Sequence, residues 1–141
     1  INNGNWYKTG WDKIHNLSVT GIYELNEKWK FGSIFSLQSG QPVTYPNGQY
    51  QYQGLTVPSY SLRNENRLPT YHRLDISATL TPRKNINRKV KGEWVFSIYN
   101  LYNRRNAASI SLQQNQETLA NEALRLSIFG AVPSVTYNFK F

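Results

Sequence analysis

Ser134-Val135-Thr136-Tyr137-Asn138-Phe139-Lys140-Phe141 alternates without a slip. Val135, Tyr137, Phe139 and Phe141 occupy one phase; Ser134, Thr136, Asn138 and Lys140 occupy the other. Successive side chains of a strand point to opposite faces, so the stretch predicts a strand over about residues 129–141 with one apolar side. The same signature recurs upstream. Leu17, Val19, Gly21, Tyr23 and Leu25 alternate with Asn16, Ser18, Thr20 and Glu24, which predicts a strand over about 14–25 with Ile22 as the exception. After a polar turn at Asn26-Glu27-Lys28, a strand over about 29–43 sets Trp29, Phe31, Phe35 and Leu37 against Lys30, Gly32, Ser36 and Gln38. A third, over about 71–82, sets Leu74, Ile76, Ala78 and Leu80 against Arg73, Asp75, Ser77 and Thr79. A fourth, over about 92–103, carries Trp94, Phe96 and Ile98; Tyr99, Leu101 and Tyr102 break the alternation in its second half, a slip that a bulge would account for but that the sequence alone does not show to be one. Helical periodicity is missing, and the predicted fold class is all-β.

Composition narrows the chemistry. The chain has no Cys, which excludes disulfides, thiolate metal sites and cysteine nucleophiles. Its longest apolar run is Trp94-Val95-Phe96, far below the roughly 18 residues of a membrane-crossing helix. A net charge of +8 raises nucleic acid as a partner. However, the one dense basic stretch, Arg83, Lys84, Arg88, Lys89 and Lys91, lies between two predicted strands and reads as a solvated turn. Nucleic acid is therefore not expected. His15 and His72, with only two Asp in the chain, are too few for a metal site. His72 and Asp75 stand three apart on a predicted strand and point to opposite faces, so no local Ser-His-Asp unit is available. The expectation is a protein that is no enzyme, with no catalytic residues, no metal and no cofactor.

The connections are unequal. Those after the first and third strands are short, whereas those over about 44–70 and 104–128 exceed 20 residues. The second of these holds strand-like pieces at Ser109–Gln113 and Ala123–Ile128; the first shows no periodicity. Short turns at one end and long loops at the other describe an outer-membrane β-barrel, whose strands of about 10 residues cross the bilayer at a tilt. Aromatics gather near both ends: Tyr23, Trp29, Phe31, Trp94 and Phe139 by the short turns, Tyr45, Tyr71 and Tyr102 by the long loops. Such girdles mark lipid headgroup levels. In this reading Leu17, Val19, Phe31, Phe35, Leu74, Ile76, Phe96, Val135, Tyr137 and Phe139 face lipid. Lys30, Arg73 and Asp75, with Glu24 and Lys140, face the lumen, because charge on the lipid side costs roughly 2–4 kcal/mol near the midplane. The long first loop is expected outside the cell, with Tyr50, Tyr52 and Arg63 as candidate gating or cargo contacts. A soluble sheet with one wet face also alternates; strand length, segregated loops and the closing aromatic favour the barrel. Five strands fall short of the roughly eight that close one. The chain, which opens on Ile1, is thus expected to be the C-terminal part of a larger barrel.

Several motifs then align with a known family. Gly40-Gln41-Pro42-Val43-Thr44-Tyr45-Pro46-Asn47-Gly48 resembles the end of a strand in TonB-dependent receptors, as do Tyr60 to Asn64 and Arg67-Leu68-Pro69-Thr70-Tyr71-His72-Arg73-Leu74-Asp75. Asn100-Leu101-Tyr102-Asn103 resembles the Asn-Leu-Phe-Asn/Asp box of that family's penultimate strand, and Val135 to Phe141 its terminal strand. The branch with an N-terminal carboxypeptidase-regulatory-like domain is the nearest. The resemblance implies a plugged barrel of about 22 strands in the outer membrane of a Gram-negative bacterium, of which this chain holds the last five and no plug. It implies import driven through a TonB complex that engages the missing N-terminal region. The implied partners are the lipid bilayer with its lipopolysaccharide, the rest of the barrel and plug, and the barrel-assembly machinery reading Val135, Tyr137, Phe139 and Phe141. A surface lipoprotein is a further candidate. Three functions stay open at this point: a TonB-dependent importer of glycan, peptide or metal chelate; an outer-membrane barrel without TonB coupling, such as an adhesin, passive channel or structural subunit; and a soluble β-rich module binding an anionic polymer.

Overall fold

The computed structural model describes residues 2–82, 91–114 and 121–140. The basic residues Arg83, Lys84, Arg88 and Lys89, and the terminal Phe141, lie outside the described residues. The chain is all-β. In order it forms β1 (Asn16–Glu24), β2 (Trp29–Gln38), β3 (Pro42–Val43), β4 (Pro46–Tyr52), β5 (Leu55–Tyr60) and β6 (Asn66–Arg67). It continues with β7 (Tyr71–Leu80), β8 (Lys91–Tyr99), β9 (Ser109–Gln114), β10 (Asn121–Leu126) and β11 (Val132–Lys140). Two compact units result: residues 17–37, 72–105 and 129–141 make one, and residues 1–16, 38–71 and 106–128 the other.

The first unit is an open five-stranded sheet in the order β1-β2-β7-β8-β11. The β1–β2 turn closes because Asn26 Oδ1 accepts the Lys28 and Trp29 N–H groups at 2.9 and 3.0 Å, the asparagine-built turn that favours this residue here. Register is explicit at the far side. Ser77, Ser97 and Ser134 face one another across β7, β8 and β11, as do Ala78, Phe96 and Val135 one step on. Opposed residues share a face, so this register fixes the two sides. Val135, Tyr137, Phe96, Trp94, Ile98, Ile76, Ala78 and Leu80 share the apolar side. The phase carries across the sheet: Gly32 stands against Ser77 on the polar side, and Gly21 against Ser33 on the apolar side. In that apolar phase, none of the described residues of the five strands carries a charge. Ile22, Ile34 and Val95 interrupt the polar side.

No hydrophobic side chain is buried among the described residues, and Leu17, Val19, Phe96, Val135 and Phe139 are all exposed. At the short-turn end of the apolar face Trp29 stacks on Phe31 with 6.1 Å between ring centroids, and Trp94 packs on Tyr137 at 4.7 Å. The Tyr137 ring also covers Gly92. At the opposite end Phe35, His72 and Tyr102 form a second cluster.

Three expectations need correction here. The second strand stops at Gln38 and not near 43, because the chain turns off at Ser39 and Gly40. The aromatic set at the long-loop end is Phe35, His72 and Tyr102; Tyr45 lies beyond the strand, and Tyr71 falls in phase with Arg73. The fourth strand ends at Tyr99 and not near 103: its pairing with β11 is continuous to Tyr99, and the chain then leaves the sheet through Asn100 at φ 55° and Asn103 at φ 53°. Asn tolerates this left-handed conformation better than other side chains, which is why the alternation breaks there.

The second unit replaces two supposed loops with hairpins. Residues 38–71 form a stem and an arm. In the stem β3 pairs with β6, the Leu68 N–H donates to Gln41 O at 3.0 Å, and Gly40 lies directly on the Leu68 backbone, where any side chain would collide. The arm pairs β4 with β5, closed by Gln53 (φ 50°) and Gly54 (φ 79°), whose two positive φ values match the turn that suits strand twist. Residues 104–128 pair β9 with β10, Ser109 opposite Leu126. The N-terminal segment is tied to the stem by polar contacts, including an ion pair of Asp12 with Arg67 and a 2.7 Å bond from Lys13 Nζ to Gln38.

Candidate functional site

Two regions hold the residues singled out from sequence. On the polar face of the sheet, Lys30 pairs with Glu24 of the neighbouring strand at 2.7 Å, both exposed. Water competes for both groups, so an exposed pair of this kind adds little to stability. Arg73 and Asp75, alternate residues of β7, make a 2.9 Å ion pair at about one-fifth exposure each. The Arg73 guanidinium lies 4.0 Å over the Tyr99 ring, a cation–π contact. The other Asp75 oxygen accepts the Asn100 N–H at 2.8 Å. Asn100 is 1% exposed, and its side chain bonds both the N–H and the carbonyl of Arg104, at 3.1 and 2.9 Å. Asn103 Oδ1 accepts the Ala131 N–H at 2.9 Å. The Asn-Leu-Tyr-Asn box is therefore a strand terminator: one asparagine folds the chain after β8 and the other receives it before β11.

Replacing Asp75 tests this arrangement. Asp75→Ala leaves Arg73 without its carboxylate and the Asn100 N–H without its acceptor, an expected loss of about 1–3 kcal/mol in chemical denaturation of the full-length chain. Asp75→Asn keeps an acceptor for Asn100 and should lose less. Equal losses for the two variants would show that the Asn100 contact contributes nothing.

The second region is the β4–β5 arm. Tyr50 opposes Val57 and Tyr52 opposes Leu55, so these four share one face of the hairpin. Both tyrosines are exposed, and Asp, Glu, Lys and Arg are absent from residues 46–60. Arg63 belongs elsewhere, at the stem: its guanidinium lies 5.0 Å over the Tyr7 ring, and Asn2 accepts its N–H at 2.9 Å. Tyr50 and Tyr52 thus form one surface, and Arg63 forms another with the N-terminal segment. Val135, Tyr137 and Phe139 are in phase along the exposed edge strand β11, with Tyr137 and Phe139 rings 6.5 Å apart. Among the described residues no three His, Cys, Asp or Glu come together as a metal site.

No family model, no curated protein and no solved structure matches this chain.

Sequence reading missed two features. The hairpin was readable as Tyr50-Gln51-Tyr52 and Leu55-Thr56-Val57 alternating around Gln53-Gly54. The bond between His72 Nδ1 and Tyr102 Oη, 2.7 Å long, joins residues 30 apart and had no local signal.

Proposed function

We propose that this chain is the C-terminal wall of a TonB-dependent outer-membrane receptor, a transmembrane antiparallel barrel that imports a scarce glycan, peptide or metal chelate. The observation that carries the reading is the two-sided sheet, in which no hydrophobic side chain is buried among the described residues. Among the described residues one side is uncharged, its side chains exposed or half-buried throughout, and aromatic at both ends; the other holds Lys30, Glu24, Arg73 and Asp75. Monomeric soluble domains rarely expose an apolar face of this extent. Trp29 and Phe35 are six positions apart, roughly 20 Å of strand, close to the apolar band of about 25 Å between the girdles of an outer-membrane barrel. The ordered motifs resembling TonB-dependent receptors add the energy coupling. Lipid covers the apolar side in this reading, the remaining strands pair with β1 and β11, and the plug meets the polar side.

The test uses the full-length protein in a Gram-negative outer membrane. Heat-modifiable migration, together with binding of the purified periplasmic domain of TonB, is the expected result. A heat-modifiable protein that ignores TonB would leave an uncoupled barrel. A protein that stays monomeric in buffer without detergent would end the barrel reading altogether.

A further inference from the structure

β4 and β5 pair with each other in a sheet of their own, so each presents an outer edge with no strand beside it among the described residues. An open edge is a template for pairing with another chain, and proteins protect such edges with charge, proline or a bulge. The two edges of this arm differ in protection. In a two-residue hairpin the residues flanking the turn bond to each other, and bonding then alternates along the ladder. Counted from Tyr52 opposite Leu55, the alternation turns the backbone of Gly48, Tyr50 and Tyr52 towards β5. It turns Gln49, and Pro58 opposite it, outwards. Pro58 has no N–H, so it blocks the outer edge of β5 where a partner strand would need a donor. The outer edge of β4 has no such block. Its pairing is regular from Gly48, just after the irregularity at Asn47, to Tyr52, just before the turn. Charge does not protect it either, since residues 46–60 hold none in a chain of net charge +8.

The sequence of that edge favours one occupant. Strands paired antiparallel are read in opposite directions, and Gln49-Tyr50-Gln51 is the same in both. Centred on Tyr50, a second β4 uses the whole regular stretch: Tyr50 meets Tyr50, Gln49 meets Gln51, and Gly48 meets Tyr52. Moving the centre one residue either way runs into the turn or the irregularity. A Cβ on Gly48 would meet open space, which leaves room for the Tyr52 ring of the other copy. The molecule uses the same fit where the Tyr137 ring covers Gly92 between β11 and β8. A two-fold axis also brings residues near their own equivalents, which like charges would oppose and this uncharged arm allows.

We propose that the β4 edges of two copies of this chain pair antiparallel about Tyr50, joining two arms into one four-stranded sheet. Pro58 then lies on both outer edges, and assembly stops at two copies. A contact confined to Gly48–Tyr52 is smaller than a standard interface, so it is reversible and forms where copies are concentrated. It does not depend on what meets either face of the main sheet.

Cysteine substitution in the full-length protein, oxidised in cells with copper phenanthroline, reads the pairing directly, because this chain has no cysteine of its own. In this register two Tyr50 Cα atoms lie about 4.5 Å apart, within disulfide reach, and two Gln49 Cα atoms about 8 Å apart, beyond it. Tyr50→Cys is expected to give about tenfold more linked dimer, relative to monomer in the same sample, than Gln49→Cys. Gln49→Pro, added to Tyr50→Cys, removes one outward N–H per copy and none from the β4–β5 ladder. The two lost bonds should cut the cross-link about tenfold. Equal cross-linking at positions 49 and 50 would mean collision without register and would overturn the proposal. So would a Tyr50→Cys link that survives Gln49→Pro, or one formed with a different protein. In the unsubstituted protein, hydrogen exchange at the Gln49 amide should slow as protein concentration rises, and exchange independent of concentration overturns the pairing without any substitution. A heat-modifiable, TonB-binding protein with that result defeats the pairing alone and leaves the receptor reading standing.

Discussion

If the sheet spans an outer membrane as proposed, Phe96→Arg should leave little folded protein there, while Val95→Arg, one residue away, should leave nearly all of it. The two positions are centred in β8 and point to opposite faces: Phe96 opposes Ala78 and Val135, and Val95 opposes Thr79 and Thr136. If the apolar face meets lipid, an arginine at its centre costs roughly 2–4 kcal/mol, a large share of what holds a domain folded. On the polar face the same side chain reaches water or a polar neighbour, and surface changes of that kind stay within about 0.5 kcal/mol. The measurement is the fraction of heat-modifiable, surface-labelled full-length protein. Equal loss from both substitutions would mean that the two faces see the same environment, and the lipid-facing proposal would fail.

The next largest effect is expected from a single methyl group. Gly40 is buried against the Leu68 backbone, at the crossing that closes the stem under the β4–β5 arm. A Cβ added there would overlap main-chain atoms, which cannot rotate aside as a side chain can. Gly40→Ala should therefore break the Leu68-to-Gln41 hydrogen bond and the two-residue β3–β6 ladder, at about 3 kcal/mol, the upper end of overpacking costs. Gly48→Ala is the matched control, since its Cβ would meet open space. Hydrogen exchange at the Leu68 amide, and proteolysis between residues 45 and 60, should rise sharply for the first variant and stay unchanged for the second. Unaltered exchange at Leu68 in Gly40→Ala would show that the crossing tolerates a side chain.

Which parts of this molecule could be read from its residues follows from the range of the forces involved. β11 was legible because Val135, Tyr137 and Phe139 express a local period of two that no neighbour has to supply. The ends of β2 and β8 were not. Both are set by contacts distant in sequence: Gly40 against Leu68, and Asp75 on the Asn100 N–H. The asparagine box was visible as a motif, yet its role as a turn depends on two left-handed residues whose partners lie at Arg104 and Ala131. The candidate contacts divide similarly. Tyr50 and Tyr52 share a face because they are two apart on one strand. Arg63 was grouped with them by loop membership alone, and its ring partner, Tyr7, stands 56 positions upstream.

The order β1-β2-β7-β8-β11 has a consequence for how such a molecule changes over generations. Strands that are neighbours in the main sheet remain successive along the chain once the hairpin excursions are set aside. Both long excursions leave one strand and return to the strand beside it. Closing a longer connection between the same two anchors costs only about 0.6 kcal/mol per doubling of its length. The arm and the β9–β10 hairpin also satisfy their own backbone groups through their own ladders. Insertions, deletions and new side chains can therefore accumulate at Gln53–Gly54, leaving every pairing of the wall intact. Novel recognition can arise by lengthening an appendage, without a single strand having to find a new neighbour.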